Sequence, residues 1–174
     1  MQTYLFIDLA LAALVVLARL FLFQIVIVKG RSMLSTLKNG QLLWVSMLAY
    51  RCHAPRRHDV IICHYPGRKM KNVPFLKEHF VKRIVGVPGD IVEVISGQVW
   101  VNGAPLAEPY LDPLHTRGRM SRPPVMLGAD EYFVMGDNRD NSNDSRRIGP
   151  IRRDMIVGHA QRILFPFRDA KRIH

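Results

Sequence analysis

A serine and a lysine are enough to transfer an acyl group if the lysine is neutral at working pH, because the free amine can take the hydroxyl proton as the oxygen attacks a carbonyl. Three polar clusters in this chain could supply such a pair. The first is Lys29-Gly30-Arg31-Ser32-Met33, which puts Ser32 directly after a long apolar stretch. The second is Lys82-Arg83 inside the run Phe80-Val81-Lys82-Arg83-Ile84-Val85-Gly86-Val87. Adjacent strand residues point to opposite faces, so one of these charges must face whatever the strand packs on. The apolar neighbours would desolvate Lys82 and lower its pKa. The third cluster runs from Gly136 through Asp137, Ser142 and Asp144 to Arg146. Its density of side chains able to bond backbone groups predicts a loop folded on itself by Asx-type bonds and ion pairs, rigid enough to carry catalytic groups. Each cluster also has a plainer reading, as a solvated loop or as an edge strand with a snorkelling side chain. The seven histidines compete as the base, but none sits in a recognisable motif, and His79 stands out only for its closeness to Lys82. Cys52 and Cys63 have no matching second pair and fit no ordinary structural zinc site, so neither a metal nor a cofactor is expected.

The elements that must position these groups read as strands. Asp59–Tyr65, Phe80–Val87 and Glu131–Met135 are apolar, β-branched or aromatic runs bounded by Pro or Gly. Ile91–Ile95, the turn Ser96-Gly97 and Gln98–Val101 form a hairpin, and Asn102-Gly103 makes a second tight turn after it. Pro105–Pro124 mixes prolines with basic residues, as an exposed loop or an extended edge would. Ile156–Phe167 returns to strand character, and no segment of the body sustains a helical period. The expected fold is mainly β, with an N-terminal transmembrane helix ahead of a compact all-β domain. With 174 residues there is room for one such domain.

The helix is expected over the twenty residues Leu9–Val28, apolar apart from Arg19 and Gln24. At about 1.5 Å per residue that length matches a hydrocarbon core of about 30 Å. A cleaved signal peptide with Leu9–Ala18 as its apolar core is the rival, but the residues ahead of it contain no Lys or Arg. The division is therefore an anchor at 1–28 and a β-rich body at 29–174. The net charge of +11 admits nucleic acid, an anionic membrane or a solvated basic face. The anchor favours phospholipid, and without a zinc-finger or aromatic RNA-binding signature no nucleic-acid partner is expected.

With these clusters in order, the chain resembles the bacterial type I signal peptidases, membrane-anchored serine endopeptidases. Ser32-Met33 with Thr36-Leu37 is similar to the family's nucleophile segment, and Arg57-His58-Asp59-Val60-Ile61 to its next box. Lys82–Gly86 with Pro88-Gly89-Asp90 resembles the general-base strand. Val101-Asn102-Gly103 with Glu108-Pro109-Tyr110 resembles a connector, and Gly136–Arg146 the longest signature. The resemblance implies Ser32 as nucleophile, Lys82 as general base and Ser142 as the group that hydrogen-bonds and orients the Lys82 amine. It implies that Arg83, Asp137, Asp144 and Arg146 form a supporting ion-pair network. The oxyanion would be held by the Ser32 N–H, with Gly30 where one branch of the family carries a second serine. The substrates implied are signal peptides of exported preproteins, bound extended along a strand edge with small side chains in shallow pockets near Val28 and the Phe80 strand. A monomer at the cytoplasmic membrane is implied, with its catalytic domain on the outer face. Lys29, Arg31 and Lys38 oppose that orientation under the positive-inside rule. There Cys52 and Cys63 would be either paired or two free thiols.

The chain departs from the family pattern at Ser35, where the family usually has Pro, and in the short stretch between Asp90 and Glu131, which implies a minimal core. Alternatives are a specialised relative serving a few substrates in conjugation or an organelle inner membrane, a self-cleaving DNA-bound repressor with the same chemistry, and a non-catalytic basic membrane scaffold. The repressor would need a DNA-binding helical domain before Ser32, and the scaffold would leave Ser32 and Lys82 far apart.

Overall fold

The computed structural model describes residues 6–8, 11, 14, 22–70 and 73–173, with 65–70 and 73–78 as backbone alone. The strands in chain order are β1 (Phe23–Ile27), β2 (Leu42–Ser46), β3 (Val60–Met70), β4 (Val73–Gly86), β5 (Ile91–Ile95) and β6 (Gln98–Val101), followed by β7 (Ala104–Pro105), β8 (Arg122–Met126), β9 (Glu131–Met135), β10 (Ile151–Arg152), β11 (Ile156–Phe165) and β12 (Lys171–Arg172). Two single-turn helices, α1 (Ala49–Cys52) and α2 (Ser145–Ile148), interrupt them. The mainly β expectation holds, and the predicted runs fall on β3, β4, β9, the β5–β6 hairpin and β11.

Eight strands make the larger sheet in the order β1-β2-β11-β3-β4-β9-β10, with β12 on β11, and four make the smaller one in the order β7-β6-β5-β8. Alternation sets which side chains are buried. Leu43 and Val45 of β2 and Val92 and Val94 of β5 point into cores, while their neighbours are half-buried or exposed. Strand β9 joins the two sheets. Its Tyr132 and Val134 pack with Ile61, Cys63, Ile84 and Ile151, and its Phe133 and Met135 pack with Val85, Val92, Val94 and Val99 of the second core. A strand buried on both faces has to read as a continuous apolar run, as Tyr132-Phe133-Val134-Met135 does.

The N-terminal expectation changes in one respect. Phe23–Ile27, read as the end of the membrane span, is strand β1, antiparallel to β2 with Ile25 opposite Trp44. A continuous apolar run does not distinguish helix from strand, and the β-branched Ile25-Val26-Ile27 suits the pleated conformation. The sheet therefore begins at Phe23, ahead of the expected boundary between residues 28 and 29. Apart from Leu11, Leu14, Leu22 and the buried Val28, the rest of the expected span lies outside the described residues. Among the described residues no helix is long and apolar enough to cross a membrane. The stretch Pro105–Pro124 runs into β8, an edge strand beginning Arg122-Pro123-Pro124, where prolines that cannot donate to a ladder are tolerated.

Candidate active site

Lys82 sits in the middle of β4, opposite Ile61 of β3, with Phe80 opposite Cys63 on the same face. The strand ladder fixes its backbone. Its side chain is 3% exposed, and its amine donates to the Ser32 hydroxyl at 2.8 Å and to the Val81 carbonyl at 3.1 Å. Burial lowers its pKa from the ordinary lysine value. Cys63, Asp144 and Asp137 pull the other way, and Arg146 adds to the lowering. A lysine so placed can hold a free amine against a serine oxygen, the state that proton abstraction requires.

Ser32 lies in a turn after β1, closed by Leu34 N–H to the Arg31 carbonyl at 3.2 Å and Leu37 N–H to the Met33 carbonyl at 2.7 Å. Met33 and Leu37 are buried in the core beside Val28, which anchors the turn from below. The loop after β9 holds it from the other side. Asn138 N–H donates to the Ser32 carbonyl at 3.0 Å, and the Asn138 amide donates to the Arg31 carbonyl at 3.0 Å. The Gly136 Cα faces the same carbonyl so closely that a Cβ there would lie 2.4 Å from Ser32 O and 2.3 Å from Ser142 Oγ. Only glycine fits. Among the described residues the Ser32 N–H donates to no acceptor, which leaves it available to an oxyanion. Gly30 adopts φ +96°, and its N–H donates to the Asn39 side chain at 2.9 Å.

Two buried ion pairs stiffen this loop. Arg83, on the opposite face of β4 from Lys82, is fully buried and forks onto Asp137, Nε to Oδ1 at 3.0 Å and Nη2 to Oδ2 at 2.8 Å. The same guanidinium donates to the His58 carbonyl at 2.8 Å and to the Thr36 hydroxyl at 3.2 Å, and Thr36 in turn donates to Asp137. Both adjacent charges of the strand are thus buried, each on its own face. Arg146 forks onto Asp144 at 2.8 and 2.9 Å, and Asp144 accepts the Gly136 N–H at 3.1 Å and caps α2. Burial pushes the Asp144 carboxyl up, but the Arg146 guanidinium, the Gly136 N–H and the neighbouring Ser142 hydroxyl outweigh it and hold the pKa below the usual carboxylate value. Bidentate pairs of this kind fix geometry as well as charge.

The sequence-predicted residues therefore converge: Ser32 meets Lys82, Asp137 meets Arg83, and Asp144 meets Arg146. Ser142 differs from expectation. Its hydroxyl is buried and makes no hydrogen bond of good geometry, and the amine of Lys82 bonds Ser32 and Val81 instead. Cys52 is exposed and Cys63 buried, both as free thiols. His79 is exposed on β4, its pKa lowered by burial, and its ring stands 4.7 Å from that of His64.

Sequence reasoning assigned no role to several residues of the site. Tyr110 lays its ring over the Arg83 guanidinium at 3.9 Å and accepts the Ser35 hydroxyl on its carbonyl at 3.2 Å. Glu108 accepts the Tyr110 hydroxyl at 2.7 Å and pairs with buried Arg139, whose Nε donates to the Gly136 carbonyl at 3.1 Å. The connector Glu108-Pro109-Tyr110 is thus a strut between the smaller sheet and the loop. Its only signal in the sequence was its place among the ordered boxes.

The family model for signal peptidases, peptidase S26, matches residues 1–165. The chain belongs to that family. It is 38% identical over 144 residues to a signal peptidase I of Leptolyngbya laminosa, covering 82% of this chain and 68% of that one. It is 36% identical over 166 residues to signal peptidase I T of Bacillus subtilis, covering 91% of this chain and 82% of the relative. Signal peptidase I of Bacillus amyloliquefaciens is 36% identical over 167 residues, with 91% and 82% covered. A crystal structure of a signal peptidase I from Enterococcus faecalis aligns with a TM-score of 0.46 and 26% identity, covering 60% of this chain and 95% of that one. This chain is a hydrolase, a peptidase of the signal peptidase I type.

Proposed function

We propose that the chain cleaves N-terminal signal peptides from exported preproteins at a membrane surface, with Ser32 as nucleophile and Lys82 as general base. The observation that carries this is the 2.8 Å contact between the Lys82 amine and the Ser32 hydroxyl inside a desolvated setting. Ser32 Oγ attacks the scissile carbonyl carbon and passes its proton to neutral Lys82. The Ser32 N–H stabilises the oxyanion. As the tetrahedral species collapses, the Lys82 ammonium protonates the leaving amine and the acyl group stays on Ser32 as an ester. Lys82, neutral again, takes a proton from water, whose oxygen attacks the ester. A second collapse returns the proton to Ser32 and releases the new carboxylate. Asp137, Asp144, Arg83 and Arg146 hold the loop that clamps Ser32, and Gly30 keeps the approach open. Ser142, whose hydroxyl lies next to Asp144 and makes no hydrogen bond of good geometry, is the group that orients the Lys82 amine once substrate fills the site.

The same reading includes an N-terminal anchor ending before Phe23, a catalytic domain on the outer face of the cytoplasmic membrane and a monomeric enzyme. Phe6, Ile7, Leu11, Leu14 and Leu22 are all exposed, as lipid-facing side chains of an anchor would be. Phe167 is 83% exposed beside exposed Phe165 and Arg168, and such a combination suits an anionic phospholipid interface.

The test is cleavage in detergent of a preprotein carrying an Ala-x-Ala site by wild type, Ser32→Ala and Lys82→Ala. Cleavage after the second alanine by wild type alone is expected. Each variant should lose at least about 10³-fold in rate while keeping its thermal transition. Cleavage by all three overturns the dyad, and a folded but inactive wild type overturns the substrate.

A further inference from the structure

One side of the Lys82 amine is walled by a group that the chemistry above does not use. Cys63, on β3 opposite Phe80, is buried and shares a face with Lys82. On an antiparallel pair the diagonal neighbour is within reach of a long side chain. Cys63, Phe80 and Lys82 line one small chamber, with room for about one water molecule, whose other walls include the polar His64, Asn143 and Asp144 as well as Val134 and Ile148. The amine is thus held by hydrogen bonds to the Ser32 hydroxyl and the Val81 carbonyl, and the Lys82 side chain also borders this space.

We propose that Cys63 is a positioning residue for the reaction, whose small, weakly polar side chain keeps the Lys82 amine uncharged and turned toward Ser32 instead of into the chamber. The inference rests on the dyad reading above.

Whether the amine stays uncharged depends on which neighbours could stabilise an ammonium. From the loop after β9, Asp137 and Asp144 face the site, but each is forked by its own arginine, Arg83 and Arg146, so neither offers an unshared charge. From β3 come Cys63 and His64, from β4 itself Phe80, whose ring centroid is 5.5 Å from the amine, from the loop after β9 Asn143, and from the turn Ser32. Burial pushes the Cys63 thiol up to about 12, so it is protonated wherever the enzyme works; the upward pull of Cys63 on Lys82 belongs to the thiolate alone, and the neutral thiol is a poor acceptor for an ammonium. Asp144 on the chamber side is already forked by Arg146, so a carboxylate or hydroxyl in place of Cys63 would give the ammonium an unshared partner there, raise the lysine pKa and draw the amine from Ser32. A branched apolar side chain would fill more of the chamber and keep the amine dry.

The test is the pH dependence of kcat/KM for the full chain in detergent, on one preprotein, comparing wild type, Cys63→Val, Cys63→Ser and Cys63→Asp, with Lys82→Ala as control. The acidic limb should move to higher pH by about one unit or more in Cys63→Asp, in the same direction by less in Cys63→Ser, and not upward in Cys63→Val. At pH 7 the Asp variant should lose about tenfold or more in kcat with KM little changed, and recover as the pH rises. If Cys63→Asp fails to fold, the opposite behaviour of Ser and Val carries the test. Limbs that coincide in every folded variant, with only the thermal transition moving, overturn the proposal and leave the dyad standing. Turnover by Lys82→Ala overturns both.

Discussion

Ser32 and Lys82 are held by opposite means. Lys82 is the product of a ladder: β4 runs between β3 and β9, and the backbone register Ile61 to Lys82 sets its height and face. Ser32 stands in a turn at the end of the edge strand β1, and what fixes it is a set of hydrogen bonds from residues more than a hundred positions later, Asn138 to its own carbonyl and to that of Arg31. A strand position tolerates a change of side chain because the backbone stays. A turn position held by tertiary contacts moves when a contact moves. The two halves of the site should therefore fail differently.

The largest effect short of removing either residue is expected from Gly136→Ala. The added methyl would meet the Ser32 carbonyl and the Ser142 hydroxyl well inside contact distance, and of the two only the serine side chain can swing away. The backbone at Ser32 must shift. A displacement near 1 Å at a reacting atom costs about 10²-fold, so kcat/KM should fall by that order while the domain still unfolds cooperatively and β4 is untouched. Wild-type turnover by this variant would mean that the loop does not position the serine.

The strand side should show the reverse, lost activity with gained stability. Burial lowers the pKa of Lys82, so folding at neutral pH bears the cost of desolvating or deprotonating an ammonium that is solvated in the unfolded chain. Lys82→Met is expected to be inactive and to melt higher by a few degrees, at about 2–4 °C per kcal/mol for a chain of this size. The sign can be followed with pH. The folded pKa lies below the unfolded value of about 10.4, so the cost is full below the folded pKa, shrinks as pH rises through it and vanishes above the unfolded value. The advantage of the Met variant over wild type must shrink along the same course. Thermal unfolding of both proteins at several pH values checks this, and a Met variant less stable than wild type at pH 7 would show that Lys82 contributes more through its hydrogen bonds than it loses by burial.

How much of this could be read from the chain follows the same division. Lys82 in an apolar run, the β5–β6 hairpin and β9 announce themselves by local pattern, because a strand's period and bounding turns are local properties. Strand β1 was hidden inside a hydropathic stretch that a membrane helix would share, and β8 behind its prolines. The clamp of Asn138 on Ser32, the roof of Tyr110 over Arg83 and the nearness of Cys63 to Lys82 depend on tertiary packing and cross-strand register, which single-residue types do not encode. Order among the boxes located the parts of the site. Their contacts needed the fold.

The smallest expected effect tests how the turn after Ser32 is set. Ser35 stands where the resemblance leads one to expect proline, and its backbone adopts φ +87°. Proline is confined near −65°, so this chain does not merely lack the residue but uses a turn that proline forbids. The left-handed conformation costs a non-glycine residue about 1–2 kcal/mol, partly offset by the Ser35 hydroxyl donating to the Tyr110 carbonyl at 3.2 Å. Ser35→Gly relieves the backbone and loses that bond, and should change stability by less than about 1 kcal/mol with activity kept. Ser35→Pro should lower the thermal midpoint by about 2–4 °C or more and reduce turnover, since the turn must rearrange next to the nucleophile. A proline variant as stable and active as wild type would show that the turn can adopt the proline-compatible form at no cost, and that the hold on Ser32 comes from Gly136 and Asn138 alone.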